Sequence, residues 1–237
     1  MVPPLLVARI NHVRRADRIR HLPAVAGQTL RQARSPIVLI RRQFVLTLAL
    51  MPITFGIWYA ADSLFAGPAV WLCDLLLSFF YPDIVQGAGL QGATMLLTTQ
   101  FGEINGQILP AQEAGNQIAL EINTRLVSYS IAFYAALLTA SNLQDSITKF
   151  CIGLFWLTCI MGFGLASIVG KDLLLMVGPP FLAAPGVPPA DLLAVTYQFN
   201  VLLMPTLAPI CLWLWQLRGS PLWQTLERDI KRASAQR

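Results

Sequence analysis

Histidine is almost missing from this chain. The two that exist, His12 and His21, both precede the first long apolar run. No imidazole can therefore meet a cysteine or serine in the body of the chain, which excludes Cys–His and Ser–His–Asp nucleophile activation there. There is no HExxH, CxxC or carboxylate–histidine cluster, so zinc or haem ligation has no support. There is no GxxxxGK[ST] or GxGxxG either, so no phosphate cradle is expected. No cofactor, metal or catalytic residue is expected on these grounds. Cysteine gives no redox signal. Cys151, Cys159 and Cys211 lie in apolar runs, Cys73 has no evident partner, and Cys151 and Cys159 stand about 12 Å apart on one helix.

Charge is scarce and uneven. Only 12% of the 237 residues are charged, against about 25% in an ordinary soluble domain. Nine of the 17 basic residues precede Phe44, and five follow Leu217. Basic ends flanking apolar spans fit the positive-inside rule, so nucleic acid is not an expected partner and a lipid bilayer is. Between Asp62 and Thr124 there are six acids and no lysine or arginine, which is how a translocated loop reads.

What is present in abundance is apolar length. Residues 197–218, YQFNVLLMPTLAPICLWLWQLR, hold no charge before Arg218. A bilayer-spanning helix needs roughly 20 apolar residues at about 1.5 Å each. Trp213 and Trp215 stand where an aromatic belt belongs, with Arg218 as a cytoplasmic anchor. Pro205 and Pro209 remove two backbone bonds, a loss that membrane helices tolerate when neighbours or Ser/Thr side chains satisfy the carbonyls.

Taken in order, residues 1–43 form a basic segment with one acid, Asp17. Its composition suits a basic tail, an amphipathic helix or a transit peptide, and Arg41 and Arg42 are the expected anchor. Residues 44–61 are the first predicted span, kinked at Pro52. Residues 62–124 are expected outside the membrane. There, 66–80 either spans, at the cost of burying Asp74, or lies along the interface. Residues 94–101 and 117–123 read as two strands of a β-hairpin joined by the turn-rich GEINGQILPAQEAGN. The second span is expected over 125–144 and the third over 150–170, between Lys149 and Lys171, with Gly162, Gly164 and Ala166 as a small face for helix contact. A proline-rich loop over 171–192 and a fourth span over 193–217 follow, and 218–237 is a basic tail. The fold class is thus an all-α membrane protein of about four transmembrane helices, with a small extracytoplasmic β-hairpin and an interfacial helix.

Few side chains carry chemistry. Ser167 and Lys171 share a helix face in the spacing of a Ser–Lys dyad, but a lysine closing a span ordinarily snorkels to the interface. Asp62 and Asp74 read as outer-surface polarity rather than a shared aspartyl site. Arg125 is placed to pair with Glu121, four residues earlier. Tyr197, Gln198 and Asn200 read as the interfacial entrance of the last span, or as a polar vestibule. Glu121, Asn123, Arg125, Tyr197, Gln198 and Asn200 are therefore the candidate interaction residues.

In the order and spacing of FGIWYAA (55–61), VWLCDLLLSFFYPDIV, LEINTRLVSYSI and YQFNVLLMPTLAPICLWL, the sequence resembles the exosortase H-associated membrane protein family of Gram-negative bacteria, over about residues 40–220. The long basic N-terminus departs from that pattern. The resemblance implies an inner-membrane partner of an exosortase, and the arginine count with four spans puts both termini in the cytoplasm. Exosortases are multi-pass, transpeptidase-like enzymes with a Cys/Arg/His arrangement. They process proteins bearing C-terminal sorting signals. Lacking the histidine, this chain is expected to be a non-catalytic accessory to that sorting or processing. The alternatives are a structural subunit of another multi-pass complex and, third, a small transporter.

Overall fold

The computed structural model describes residues 36–218 together with 220, 223, 224 and 227. Residues 43–224 form one compact unit. Most of the basic N-terminal segment and of the basic tail lies outside the described residues.

Helix α1, Pro36–Ala60, is followed after Ala61 by α2, Asp62–Phe80. Strands β1 to β4 (Val85–Gln91, Thr94–Thr99, Phe101–Ile104, Gln107–Pro110), the helical turn α3 (Ala111–Ala114) and β5 (Ala119–Asn123) come next. Then follow α4 (Arg125–Ser141), α5 (Ser146–Met176), the turn α6 (Pro179–Leu182) and α7 (Ala190–Gln198). A π turn, Phe199–Leu203, leads into α8, Met204–Leu217. Among the described residues, four stretches are long and apolar enough to cross a membrane: Ile40–Ala60, Asp62–Phe80, Ser146–Met176 and Ala190–Leu217. The number matches expectation, but the set does not. At 17 residues α4 is too short to qualify, whereas α2 runs unbroken through Gly67 and Pro68.

Side-chain contacts fix the helix directions. Gln43, near the start of α1, reaches the end of α4, donating from Nε2 to the Leu137 carbonyl at 3.2 Å and to Ser141 Oγ at 2.8 Å. Trp58, near the other end of α1, donates from Nε1 to Ser128 Oγ at 3.2 Å. The two helices are therefore antiparallel. Helix α5 runs back along α4: a Cβ on Gly153 would overlap the Tyr134 ring, and one on Gly164 would come within 3.2 Å of Val127. The α7–α8 rod returns along α5, with the Asn200 backbone near Gly164 and Gln216 near Lys149. The result is an antiparallel bundle of α1, α4, α5 and α7–α8, with α4 most deeply buried. The glycines of the expected small face are used for contacts within the chain. Gly162 admits Leu72 of α2 so closely that a Cβ would sit 2.9 Å from Leu72 Cδ2.

At one end of the bundle, here the terminal end, neutral polar groups interlock. Ser141 Oγ donates to the Leu137 carbonyl at 2.7 Å and accepts from Trp213 Nε1 at 2.6 Å as well as from Gln43. The Tyr134 hydroxyl lies 2.6 Å from Gln216 Oε1 and 2.8 Å from the Lys149 carbonyl, to which Gln216 Nε2 also donates at 2.9 Å. A buried glutamine is tolerable because both ends of its amide are matched. Trp213, expected in the aromatic belt, thus turns inward, while Trp215 is the exposed one.

The last helix widens just ahead of its first proline. The Met204 N–H bonds the Phe199 carbonyl, five residues back, in the wide π turn just ahead of Pro205. Thr206 Oγ1 donates to the Leu203 carbonyl at 2.9 Å, a back-bond within the first turn of α8. Helix α5 does not stop at its lysines. Its 31 residues span about 46 Å, so the third helix outruns the expected 150–170 and shortens the proline-rich loop. That loop carries α6, whose Phe181 is buried in the core.

The other end of the bundle bears the sheet. It is three-stranded and antiparallel in the order β1–β2–β5, with Met95 opposite Ile122 and Leu97 opposite Leu120 on its buried face. The expected pairing of the two strands is present. β1, however, was not anticipated, because its glycines (VQGAGLQ) mask alternation. The connection read as loop contains a second hairpin, β3–β4, closed by Asn105 (φ 52°) and Gly106 (φ 78°). Both positive φ values suit the type I′ turn that matches strand twist. The β1 strand lies beside α2, tied by the Ala88 N–H to Asp74 Oδ1 at 2.7 Å.

Candidate functional site

The sheet end carries a charged clasp. Arg125 Nε donates to Asp62 Oδ2 at 2.7 Å, and its guanidinium covers the Tyr59 ring, 4.1 Å from the centroid. The other Asp62 oxygen accepts from the Ser63 N–H at 2.7 Å. Three chain segments meet here: the exit of α1, the entrance of α2 and the entrance of α4. The Asp62 carboxylate is 11% exposed and the Arg125 side chain 33% exposed, so the pair is only partly screened by solvent. This overturns the expected Glu121–Arg125 pair. Glu121 stands opposite Leu96 on the exposed sheet face, whereas Arg125 opens a helix that turns towards α1. Asp62 and Asp74 are likewise not simple surface polarity. One anchors the clasp and the other holds the edge of β1.

Asn123 has a local task. Its Oδ1 accepts from the Arg125 N–H at 3.0 Å, helping the strand become a helix. Thr124, fully buried, donates through Oγ1 to the Ala93 carbonyl at 2.8 Å and ties the β1–β2 turn to the same junction.

A cleft of about 370 Å³ opens at the opposite end of α2 from the clasp, between that helix end, the outer part of α5 and α7. Leu76, Leu77, Phe80 and Tyr81 form one wall and Phe163, Ala166, Val169 and Leu173 the floor. Leu192, Leu193, Thr196 and Asn200 form the other wall. Tyr81 closes a corner through its hydroxyl, which donates to the Gly186 carbonyl at 3.4 Å. Ser167 borders the cleft, but its hydroxyl turns back on α5, to the carbonyls of Phe163 at 2.7 Å and Gly164 at 3.0 Å. Lys171 pairs with Asp172 at 2.6 Å and lies 4.9 Å from the centroid of Tyr197. A Ser–Lys dyad needs a serine hydroxyl free to pass its proton to the amine. These two side chains are engaged elsewhere. Among the described residues, no group of three or more His, Cys, Asp and Glu side chains converges as metal ligands would.

The six expected interaction residues divide into two groups. Glu121, Asn123 and Arg125 cluster at the junction of β5 and α4. Tyr197, Gln198 and Asn200 lie along α7 and its π turn, where Tyr197 meets Lys171, Asn200 lines the cleft and Gln198 is exposed.

A family model described as exosortase H-associated membrane protein matches residues 38–220. That stretch takes in the bundle, the sheet, the clasp and the cleft together. The chain belongs to the exosortase H-associated membrane protein family. No curated protein and no solved structure matches it. For this family member, sequence reading missed Tyr59 and Asp62 as partners of Arg125. The available signal was the lack of any other basic residue between Asp62 and Thr124 to balance a buried acid. It also missed Gln43, Ser141 and Gln216, whose only signal was an amide or hydroxyl inside an apolar run.

Proposed function

We propose that this chain is a non-catalytic inner-membrane accessory of an exosortase, assisting the sorting or processing of exported proteins that carry C-terminal signals. The family match over residues 38–220 carries the reading, since it covers nearly all of the described residues. The engaged states of Ser167, Lys171, Asp62 and Asp74 support it, because the side chains that could be cast as catalytic are spent on holding the fold.

In this reading α1, α4, α5 and α7–α8 cross the bilayer, with both termini in the cytoplasm beside the basic residues. Helix α2 lies along the outer interface and the sheet stands outside the membrane. Open sheet edges do not occur in hydrocarbon, and β1 runs directly beside α2, which supports an interfacial rather than a spanning α2. The acids of 62–124 then face the exterior, and Glu121 and Asn123 on the exposed sheet face are available to a partner. Cross-linking and affinity purification of the tagged protein from native membranes in mild detergent tests the role. Recovery of an exosortase, or of proteins ending in a sorting helix, supports it. Recovery of a different stable multi-pass complex makes the chain a structural subunit of that complex instead.

A further inference from the structure

We propose that the cleft between α2, α5 and α7 is a binding site for one acyl chain of a membrane phospholipid, with the glycerol ester region held at Thr196 and Asn200. A volume of about 370 Å³ falls in the range of about 300–1,000 Å³ typical of ligand sites. Thr196 and Asn200, one helical turn apart, present a hydroxyl and an amide along one side, while the other polar side chains of the lining, Ser167 and Tyr81, are engaged with the Phe163, Gly164 and Gly186 carbonyls. Neither the Thr196 nor the Asn200 side chain has a hydrogen-bond partner among the described residues. An ester group offers both of them acceptors.

The setting identifies the occupant as lipid. Phe80, Phe163 and Leu192 border the cleft with side chains 61%, 57% and 54% exposed. Phe163 and Leu192 belong to the stretches read above as crossing the bilayer and Phe80 to the interfacial α2, so on that reading the mouth opens where headgroups meet acyl chains. The nearest cation, Lys171, is matched by Asp172. The site therefore grips the chain and ester and selects no headgroup charge. The π turn has a use here as well, since it presents Asn200 to the cleft just ahead of Pro205.

The test needs no exosortase, so its failure is separable from failure of the accessory role. The purified full chain is placed in vesicles of phosphatidylethanolamine and phosphatidylglycerol containing a trace of phospholipid with a diazirine on one acyl chain. After irradiation, the labelled peptides are mapped by mass spectrometry. Label is expected on cleft residues of α5 and α7 and, as an internal reference, on the lipid-exposed residues of α1. Ala166→Phe fills the floor. Leu192→Trp narrows the mouth at a half-exposed position that the core does not depend on. Both are expected to abolish cleft labelling and leave α1 labelling unchanged, with helical circular dichroism retained. Replacing phosphatidylglycerol by a zwitterionic lipid should change nothing. Equal cleft labelling in wild type and both variants overturns the proposal. So does an unlabelled wild-type cleft, which would leave a partner's side chains as the occupant.

Discussion

The two ends of the bundle solve the same problem with opposite chemistry. At the terminal end, Gln43, Ser141, Tyr134, Trp213 and Gln216 form a neutral network in which each side chain meets another side chain or a backbone carbonyl. At the sheet end, a charged pair is buried only in part, an exposed strand face carries Glu121, and Thr196 and Asn200 face an open cleft. In a bilayer, polar groups closed on one another rigidify a bundle, while polar groups left open invite a ligand or partner. The terminal end is built for staying together and the sheet end for meeting something else.

The comparison can be broken by substitutions at each end. The largest effect is expected from Gly153→Leu, because even a Cβ there overlaps the Tyr134 ring, which hydrogen bonds pin in place. Overpacking of this kind costs about 3 kcal/mol or more, so the variant should unfold at much lower temperature in detergent. Gln216→Leu is expected to cost less, about 0.5–1.5 kcal/mol, because it removes hydrogen bonds but leaves the Tyr134 hydroxyl and the Lys149 carbonyl paired with each other. Circular dichroism melting measures both.

At the sheet end, Asp62→Asn should lower the melting temperature less than Gly153→Leu. Combining it with Arg125→Gln should restore part of the loss, since the lone guanidinium is then gone. Full additivity of the two would mean that the clasp is not a coupled pair. Smallest of all, Ser167→Ala and Lys171→Met should leave partner association and substrate processing unchanged. A loss of processing with the fold intact would return the Ser–Lys pair to consideration as chemistry.

How much of this was legible in the sequence depended on the length scale of each interaction. Apolar runs bounded by arginine gave the last helix and the first, because hydrophobicity over about 20 residues is a sum that no single residue upsets. The strands at 94–99 and 119–123 were visible from their alternation and their β-branched side chains. β1 was not, since Gly87 and Gly89 leave nothing to alternate. The Asn105–Gly106 turn was a readable signal that the polar surroundings obscured. At α5, Lys149 and Lys171 marked the expected span ends but not the helix ends, since the helix continues past both. The site was least legible. Arg125 stood out, but its choice of Asp62, 63 residues earlier, over Glu121 depends on α1 and α4 being antiparallel. No local spacing encodes that.

The most direct test of the sheet end as the working face is a pair of site-specific photo-cross-linkers in native membranes. One replaces Glu121 on the exposed strand face. The other replaces Ile147, exposed near the terminal end of α5. The expected result is a cross-link to an exosortase, or to a protein with a sorting helix, from position 121 and not from 147. Cross-links from 147 alone, or none from 121 with the exosortase present, would contradict the account.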